Sequence, residues 1–434
     1  MTKPRFKEAL RFWFKLGCIS FGGPAGQIAI MHDFLVEKRK WISDSRFMHA
    51  LNYCMILPGP EAQQLATYIG WLLHGTFGGI VAGLLFILPS VFILLGLSIV
   101  YVTYGTLPLV AAMMAGLKPA IIAIIITALF KIGKKSLISY FHYAIAILAF
   151  VSIFFLHIPF PIIVLTTLLI GFLITHFFPS NNKKEKTAKK EKTIDESAYY
   201  LNSISGHNLP SIDNKKTVST VLIGILLWLI PFSIVFLFSS DFEFWKTLCL
   251  FFSKAAFVTF GGAYAVLPYV AQESVEQLHW LSSHQMIDGL ALGETTPGPL
   301  IMVLAFVGFQ GAFNYFGASI ALGTLGLLLT VFYTFLPSFI FILVGAPYIE
   351  KSKENNQIKA VLSFVTAAVV GVMFNLVLYL ANSVLLPTKQ FNSFDWAAAA
   401  WVIISFFALH KYKVNLIVWL GISLIFGLVN HYLI

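Results

Sequence analysis

Charge is scarce in this chain. Only 11% of its 434 residues are Asp, Glu, Lys or Arg, where a globular domain averages about 25%. Cysteine is nearly absent: Cys18, Cys54 and Cys249 are odd in number, lack CxxC spacing and sit in apolar surroundings. That excludes a disulfide scaffold and a cysteine metal site, and leaves three small buried hydrophobes. No HExxH, P-loop or paired nucleophile and base occurs, so nothing calls for an enzyme, a metal or a cofactor. The formal charge of +10 could suggest an anionic partner. Much of it, however, lies in the polar, Lys-rich stretch 181–216, which reads as a solvated cytoplasmic linker with a regulatory or lipid-binding role as the alternative.

What fills the chain is apolar surface. Hydrophobic residues make up 58% and the mean hydropathy is +0.83. Several runs exceed the roughly 20 residues that cross a bilayer. The fold class is therefore an all-α, multi-pass integral membrane protein whose first partner is lipid. The basic N-terminus has no small-residue cleavage site behind its apolar part and reads as mature protein.

The two halves match at a shift of 239 positions. The shift superimposes Lys15 on Lys254, Phe21-Gly22-Gly23 on Phe260-Gly261-Gly262, and Trp41 on Trp280. It also places Ser43 on Ser282 and Pro58-Gly59-Pro60 on Pro297-Gly298-Pro299. After a nine-residue insertion, Leu-Pro-Ser at 88–90 meets Leu-Pro-Ser at 336–338. Agreement among such rare residue types reads as a tandem duplication. The expected organisation is a first repeat at 1–178, a linker at 179–217, an unpaired helix at 218–238 and a second repeat at 239–434.

Six apolar segments per half are expected, near 12–33, 46–73, 77–103, 107–131, 139–157 and 160–178, then 248–270, 285–313, 316–347, 358–384, 396–410 and 414–432. With the unpaired segment they make about 13. An even number of crossings plus one inverts the second half, an arrangement common among secondary transporters. Basic residues flank both sides of segment 12–33, whereas the matching connection in the second half carries Glu273 and Glu276. The positive-inside rule then favours re-entrant hairpins at 12–33, 46–73, 248–270 and 285–313 over full crossings. The scheme predicts a cytoplasmic N-terminus and an external C-terminus.

Glycine and proline interrupt these hairpins at four places. Irregular backbone at membrane depth is tolerated only where it lines protein or a watery cavity. Each break can start a half-helix, and a helix start offers unpaired N–H groups and about half a positive charge. Four starts meeting near the midplane would supply about two, the complement of a tetrahedral dianion. Close helix packing explains a single Gly-Gly pair; four breaks related by a repeat point to a substrate pathway. The candidate substrate-binding residues are Gly22, Gly23, Pro24, Gln27, Asn52, Pro58, Gly59, Pro60, Gln63, Gln64, Gly261, Gly262, Thr295, Thr296, Pro297, Gly298 and Pro299. Glu61 and Glu294 flank the Pro-Gly-Pro motifs at non-equivalent positions. Each reads as a proton-coupling carboxylate or an ordinary helix cap. His49 and Asp288 share one repeat position and form a second candidate coupling pair. Lys15 and Lys254 either snorkel or attract anions. Trp41 and Trp280 read as interfacial anchors.

The stretch "SFGGPAGQIAIMHDFLVEKRKWISDSRFMHALNYCMILPGPEAQQLATYIGWLLHGTFGG" at 20–79 closely resembles the signature of the chromate ion transporter family, in its long two-domain form. "FSKAAFVTFGGAYAVLPYVAQ" and "GLALGETTPGPLIM" resemble its second-half signature. The resemblance covers both halves and implies antiparallel repeats in the plasma membrane. It also implies efflux of chromate driven by the proton motive force, with chromate resistance as the result and sulfate as a competing analogue. The residues it carries over are Phe21 to Pro24, Gln27, Trp41, Asn52, Pro58 to Gln64, Phe260 to Gly262 and Glu294 to Pro299. Spacing alone supports an oxyanion, so a sulfate or other oxyanion transporter and an anion channel remain open at this point.

Overall fold

A computed structural model describes residues 4–21, 23–177, 199–203, 214–239, 241–349, 356–386 and 393–433. Within them the chain is all helical. Before the linker come α1 (Phe6–Ile19), α2 (Gly23–His32), α3 (Asp44–Cys54), α4 (Glu61–Tyr104), α5 (Pro108–Ser136), α6 (Tyr140–Phe154) and α7 (Phe160–Phe177). Of these, α4 is broken at His74 (φ −138°, ψ 20°) and Gly75 (φ +70°, ψ −165°) into two helical stretches. The stretches pack on each other through Gly70 and Gly78, as the separate segments 46–73 and 77–103 predict. A short α8 (Tyr200–Ser203) and α9 (Asn214–Phe238) follow. Then come α10 (Phe242–Val258), α11 (Ala263–Gln272), α12 (Ser283–Thr295), α13 (Val303–Tyr315), α14 (Ile320–Ile349), α15 (Asn356–Leu385), α16 (Trp396–Phe406) and α17 (Leu416–Leu433). Six of these, α4, α5, α7, α9, α14 and α15, are long and apolar enough to cross a membrane.

The expected segments 12–33 and 248–270 are not single helices. Each is two helices meeting at a glycine break. At 1.5 Å per residue, the 10-residue α2 and α11 extend about 15 Å, half a hydrocarbon core. The local geometry repeats at the same shift as the sequence. Both α2 and α11 end in a π turn, Asp33–Lys38 and Glu273–Gln277. Each turn is followed by a residue at positive φ, Lys40 at 51° and His279 at 50°. Ser43 and Ser282 then cap α3 and α12.

Between halves, equivalent elements exchange partners. The α6 and α7 hairpin packs on α15, while α16 and α17 pack on α5. Gly116 and Gly427 bring α5 and α17 into backbone contact, and Gly371 does the same for α15 against α6, the close approach that small residues permit between membrane helices.

One side of the first half is assembled from three pieces. Arg39 pairs with Glu8 of α1 at 3.0 Å. The amides of Tyr200 and Leu201 donate to the carbonyls of Lys40 and Trp41 at 3.1 Å each. Arg46 donates to the Leu201 carbonyl at 2.8 Å. The tail of the linker is thus not wholly solvated: Tyr200 and Leu201 are buried against the α2–α3 connection, because this short stretch carries aromatic and aliphatic side chains that the Lys-rich part lacks. Most of 179–217 lies outside the described residues. Trp41 and Trp280, expected at an interface, are each 5% exposed. Trp41 packs edge-on to Phe12 and Phe34, and Trp280 lies among Phe244, Phe251 and Phe252. Aromatic neighbours inside the protein have taken the place of headgroups. Cys54 and Cys249 are buried free thiols and Cys18 is half-buried.

Candidate functional site

All four breaks start helices: α2 at Gly23, α4 at Glu61, α11 at Ala263, and a 3₁₀ turn (Leu300–Met302) leading into α13. Gly22 lies outside the described residues. The breaks pair across the halves. The Gly59 amide donates to the Thr259 carbonyl at 2.7 Å, and the Gly298 amide donates to the Ser20 carbonyl at 2.7 Å. Residues 59 and 298 are equivalent, as are 20 and 259, so each Pro-Gly-Pro loop is pinned to the segment just before the other half's glycine pair.

This pairing changes the role of two expected ligands. The amides of Gly59 and Gly298 serve the junction between halves and are not open to an anion. Their glycine requirement is conformational and steric, with φ of +124° and +102°. A Cβ on Gly59 would stand 2.7 Å from the Ser338 hydroxyl, and one on Gly298 would overlap that of Ser90. Those serines belong to the duplicated Leu-Pro-Ser, and Ser90 donates to the Pro297 carbonyl at 2.5 Å.

The expected side-chain donors are turned to the same task. Gln27 donates to the Gly298 carbonyl at 2.5 Å, Gln64 to the Pro58 carbonyl at 2.8 Å, and Gln63 to Thr67 at 3.0 Å. Thr295 and Thr296 both donate to the Leu292 carbonyl and finish α12. Buried polar groups in an apolar surround require partners, and here the partners are two loop carbonyls, the Thr67 hydroxyl and the Leu292 carbonyl of α12. Pro24 stands in the first turn of α2, and Pro60 and Pro299 each immediately precede a helix start. Asn52 is half-buried near the end of α3.

Two breaks remain open. Gly23 sits at φ +73° with nothing within 4 Å of where its Cβ would be. Gly262, at φ +95° and ψ 175°, occupies a region reserved almost wholly for glycine. Among the described residues and apart from its chain neighbours, the heavy atom within 4 Å of its would-be Cβ is Glu61 Oε1, at 3.8 Å. Glu61 is half-buried in the first turn of α4. Glu294, from the far end of α12, accepts a 2.9 Å hydrogen bond from Tyr264 in the first turn of α11. The two carboxylates, unrelated by the repeat, therefore converge on the start of one helix. Gly261 beside them packs on Thr366, 2.8 Å from its would-be Cβ.

Asp288 stands elsewhere. It is 5% exposed, accepts from the Tyr101 hydroxyl at 2.9 Å and faces Lys118 Nζ at 3.4 Å. Its repeat mate His49 is half-buried in α3, and the two occupy different surroundings. Lys118 escaped the sequence reading although its signal was available: the one cation between 107 and 130, deep in the apolar run that ends at Lys131, next to Pro119. Lys15 and Lys254 are both exposed.

The two hairpins differ in burial. In α11 the buried residues are Ala263, Ala265 and every residue from Val266 to Ala271. In α2 only Gln27 and Met31 are buried. Met286 through Glu294 of α12 are all buried, against Phe47, Ala50, Leu51 and Cys54 of α3. The first-half hairpin is the open one.

Among known proteins, the chromate transporter family model matches residues 7–172 and 246–428. A probable chromate transport protein of Synechococcus elongatus is 28% identical over 390 residues, covering 88% of this chain and 86% of the relative. The chromate transport protein of Cupriavidus metallidurans is 28% identical, covering 88% and 84%. That of Pseudomonas aeruginosa is 30% identical, covering 83% and 77%. No solved structure matches this chain. The two matched stretches fall within the two halves of the chain, and the chain belongs to the chromate transporter family, whose members are transporters and not enzymes.

Proposed function

We propose that this chain is a secondary transporter that exports chromate across the plasma membrane, coupled to the proton motive force, and so confers chromate resistance. Family membership and the chromate transport for which the relatives are named point to the substrate. The observation that carries a site is the opening at the α4 and α11 starts. There, a glycine held in a conformation closed to other residues faces the Glu61 carboxylate, with no other described residue beyond its chain neighbours within 4 Å of its would-be Cβ. Helix starts favour a dianion. An ionised Glu61 repels one, and a protonated Glu61 admits it, which links anion and proton movement at one place. Glu294, tethered through Tyr264, is the second proton carrier.

The halves act as inverted repeats, residues 1–178 and 239–434, joined by the linker and the unpaired α9. Contact between α1, the α2–α3 connection and the linker tail supports re-entrance. The basic start of α1 and the basic α2–α3 connection share one side with the linker tail, whereas a full crossing by 12–33 would separate the first two. That side is cytoplasmic by the positive-inside rule, and the C-terminus is external.

Chromate uptake into inverted membrane vesicles tests the proposal. The expected result is uptake that an uncoupler abolishes and excess sulfate reduces. Uptake no greater than in vesicles lacking the chain would reject it. Sulfate accumulation without chromate accumulation would reassign the substrate.

A further inference from the structure

A cavity of about 560 Å³ lies between α1 and the segment formed by α2 and its π turn. Six cations line it: Arg5, Lys7, Arg11, Lys15, Lys38 and Arg39. Only two acids do so, Asp33 and Glu8, and each is already paired, with Lys38 at 2.6 Å and with Arg39 at 3.0 Å. Among the described residues, Arg5, Lys7, Arg11 and Lys15 have no carboxylate partner. Lys7, Arg11 and Lys15 are spaced by four, so they form one stripe on α1, rising about 6 Å per step. The stripe ends five residues before Ser20, whose carbonyl holds Gly298. The floor of the cavity is apolar: Phe12 stacks on Phe34 at 3.9 Å, with Leu16 and Ile19 beyond.

Among the described residues the other half keeps only one end of this stripe, the exposed Lys254 in place of Lys15. Phe244 stands where Arg5 does and Leu250 where Arg11 does. Phe244 packs against Tyr315, Phe316 and Trp280, and Lys246, equivalent to Lys7, is paired with Glu243 at 2.8 Å. Retention of positive charge on one membrane face needs cations anywhere near the helix end. It does not need a stripe of unpaired ones along the wall of a cavity leading towards a helix break.

We propose that this cavity is an oxyanion antechamber, in which Lys7, Arg11 and Lys15 hold a tetrahedral oxyanion ahead of the break at Gly23. This inference rests on the oxyanion-transport reading above. The same chemistry is offered by a free oxyanion and by the phosphate of an anionic lipid, and the test separates the two sources.

The purified full chain is reconstituted in phosphatidylcholine vesicles, with and without phosphatidylglycerol, as wild type, as Lys7→Gln/Arg11→Gln/Lys15→Gln, and as the charge-preserving Lys7→Arg/Arg11→Lys/Lys15→Arg. Initial chromate flux is measured against chromate and salt concentration. Three cations about 8 Å from a dianion predict a KM raised about tenfold in the neutralised variant near 0.1 M salt, with kcat little changed. The gap should narrow at high salt, and the charge-preserving variant should match wild type. That pattern in pure phosphatidylcholine assigns the antechamber to the substrate. A difference that emerges only with phosphatidylglycerol assigns it to a lipid phosphate. Equal KM and equal salt response in both lipids, with wild-type flux intact, overturn the antechamber and leave the transport reading standing. Absence of chromate flux in the wild type overturns the transport reading, and retention of phosphatidylglycerol by wild type but not by the neutralised variant then still reports the cavity.

Discussion

Gly298 is where one methyl group should cost most. A Cβ there overlaps the Ser90 hydroxyl that anchors Pro297, and the backbone sits at φ +102°. Gly298→Ala should lose about 2–4 kcal/mol through combined overlap and strain, visible as a lower melting temperature in detergent. Gly262→Ala meets only Glu61, so it carries the backbone term of about 1–3 kcal/mol alone; its larger effect should fall on transport. A Gly298→Ala protein as stable as Gly262→Ala would contradict the distinction. Glu61→Gln and Glu294→Gln should retain chromate binding while losing the response of flux to an imposed pH gradient, and a variant that keeps that response is not a proton carrier. The glycine and proline breaks were legible because these residue types are rare inside apolar helices. Which of them face a ligand was not. Gly59 and Gly262 read alike in sequence, and only the partner brought by the other half, Thr259 to one and Glu61 to the other, tells them apart.

At the scale of elements, Lys118 and Asp288 join α5 to α12 in the closed hairpin. Asp288 is almost fully buried and Lys118 is about a fifth exposed, with 8% and 19% of their side chains accessible. Removing one partner strands a charge in apolar surroundings. Lys118→Met or Asp288→Asn should each lose about 2–3 kcal/mol, discounted for the exposure of the lysine. The double variant should lose less than the sum of the two. Thermal unfolding of the four proteins in detergent checks this, and simple additivity would show that the two residues do not act as a pair. The sequence placed Asp288 with His49 because they share a repeat position. Their environments differ because the two hairpins pack differently, and a repeat in sequence does not report an asymmetry in packing. The same limit explains Gln27 and Gln64, donors by residue type whose targets are loop carbonyls, and Gln63, whose target is the Thr67 hydroxyl.

At the scale of the molecule, the duplicated halves exchange equivalent elements, and their orientation in the membrane can be read by labelling. Ser43 and Ser282 are a poor pair for this, since Ser43 is buried as the cap of α3. Ser45 and His284 are equivalent and both exposed. In a Cys18→Ser background, an impermeant thiol reagent applied to intact cells should modify His284→Cys and spare Ser45→Cys. Modification of both would place the two hairpins on one side and end the inverted arrangement. The helical membrane class and the repeat were open to inspection in the sequence, because hydropathy and rare-residue spacing are local properties. The docking of Tyr200 and Leu201 onto the α2–α3 connection was hidden by the polar residues around them.

The account turns on coupled oxyanion transport through these halves, and one measurement addresses it directly. Chromate flux into proteoliposomes is recorded with the membrane voltage clamped at zero and a pH gradient imposed. The account predicts flux that saturates with chromate and accumulates it against its own gradient, in the direction opposite to proton movement. Flux that rises without saturation, runs only down the chromate gradient and is unchanged by the pH gradient would make the protein an anion channel and contradict this reading.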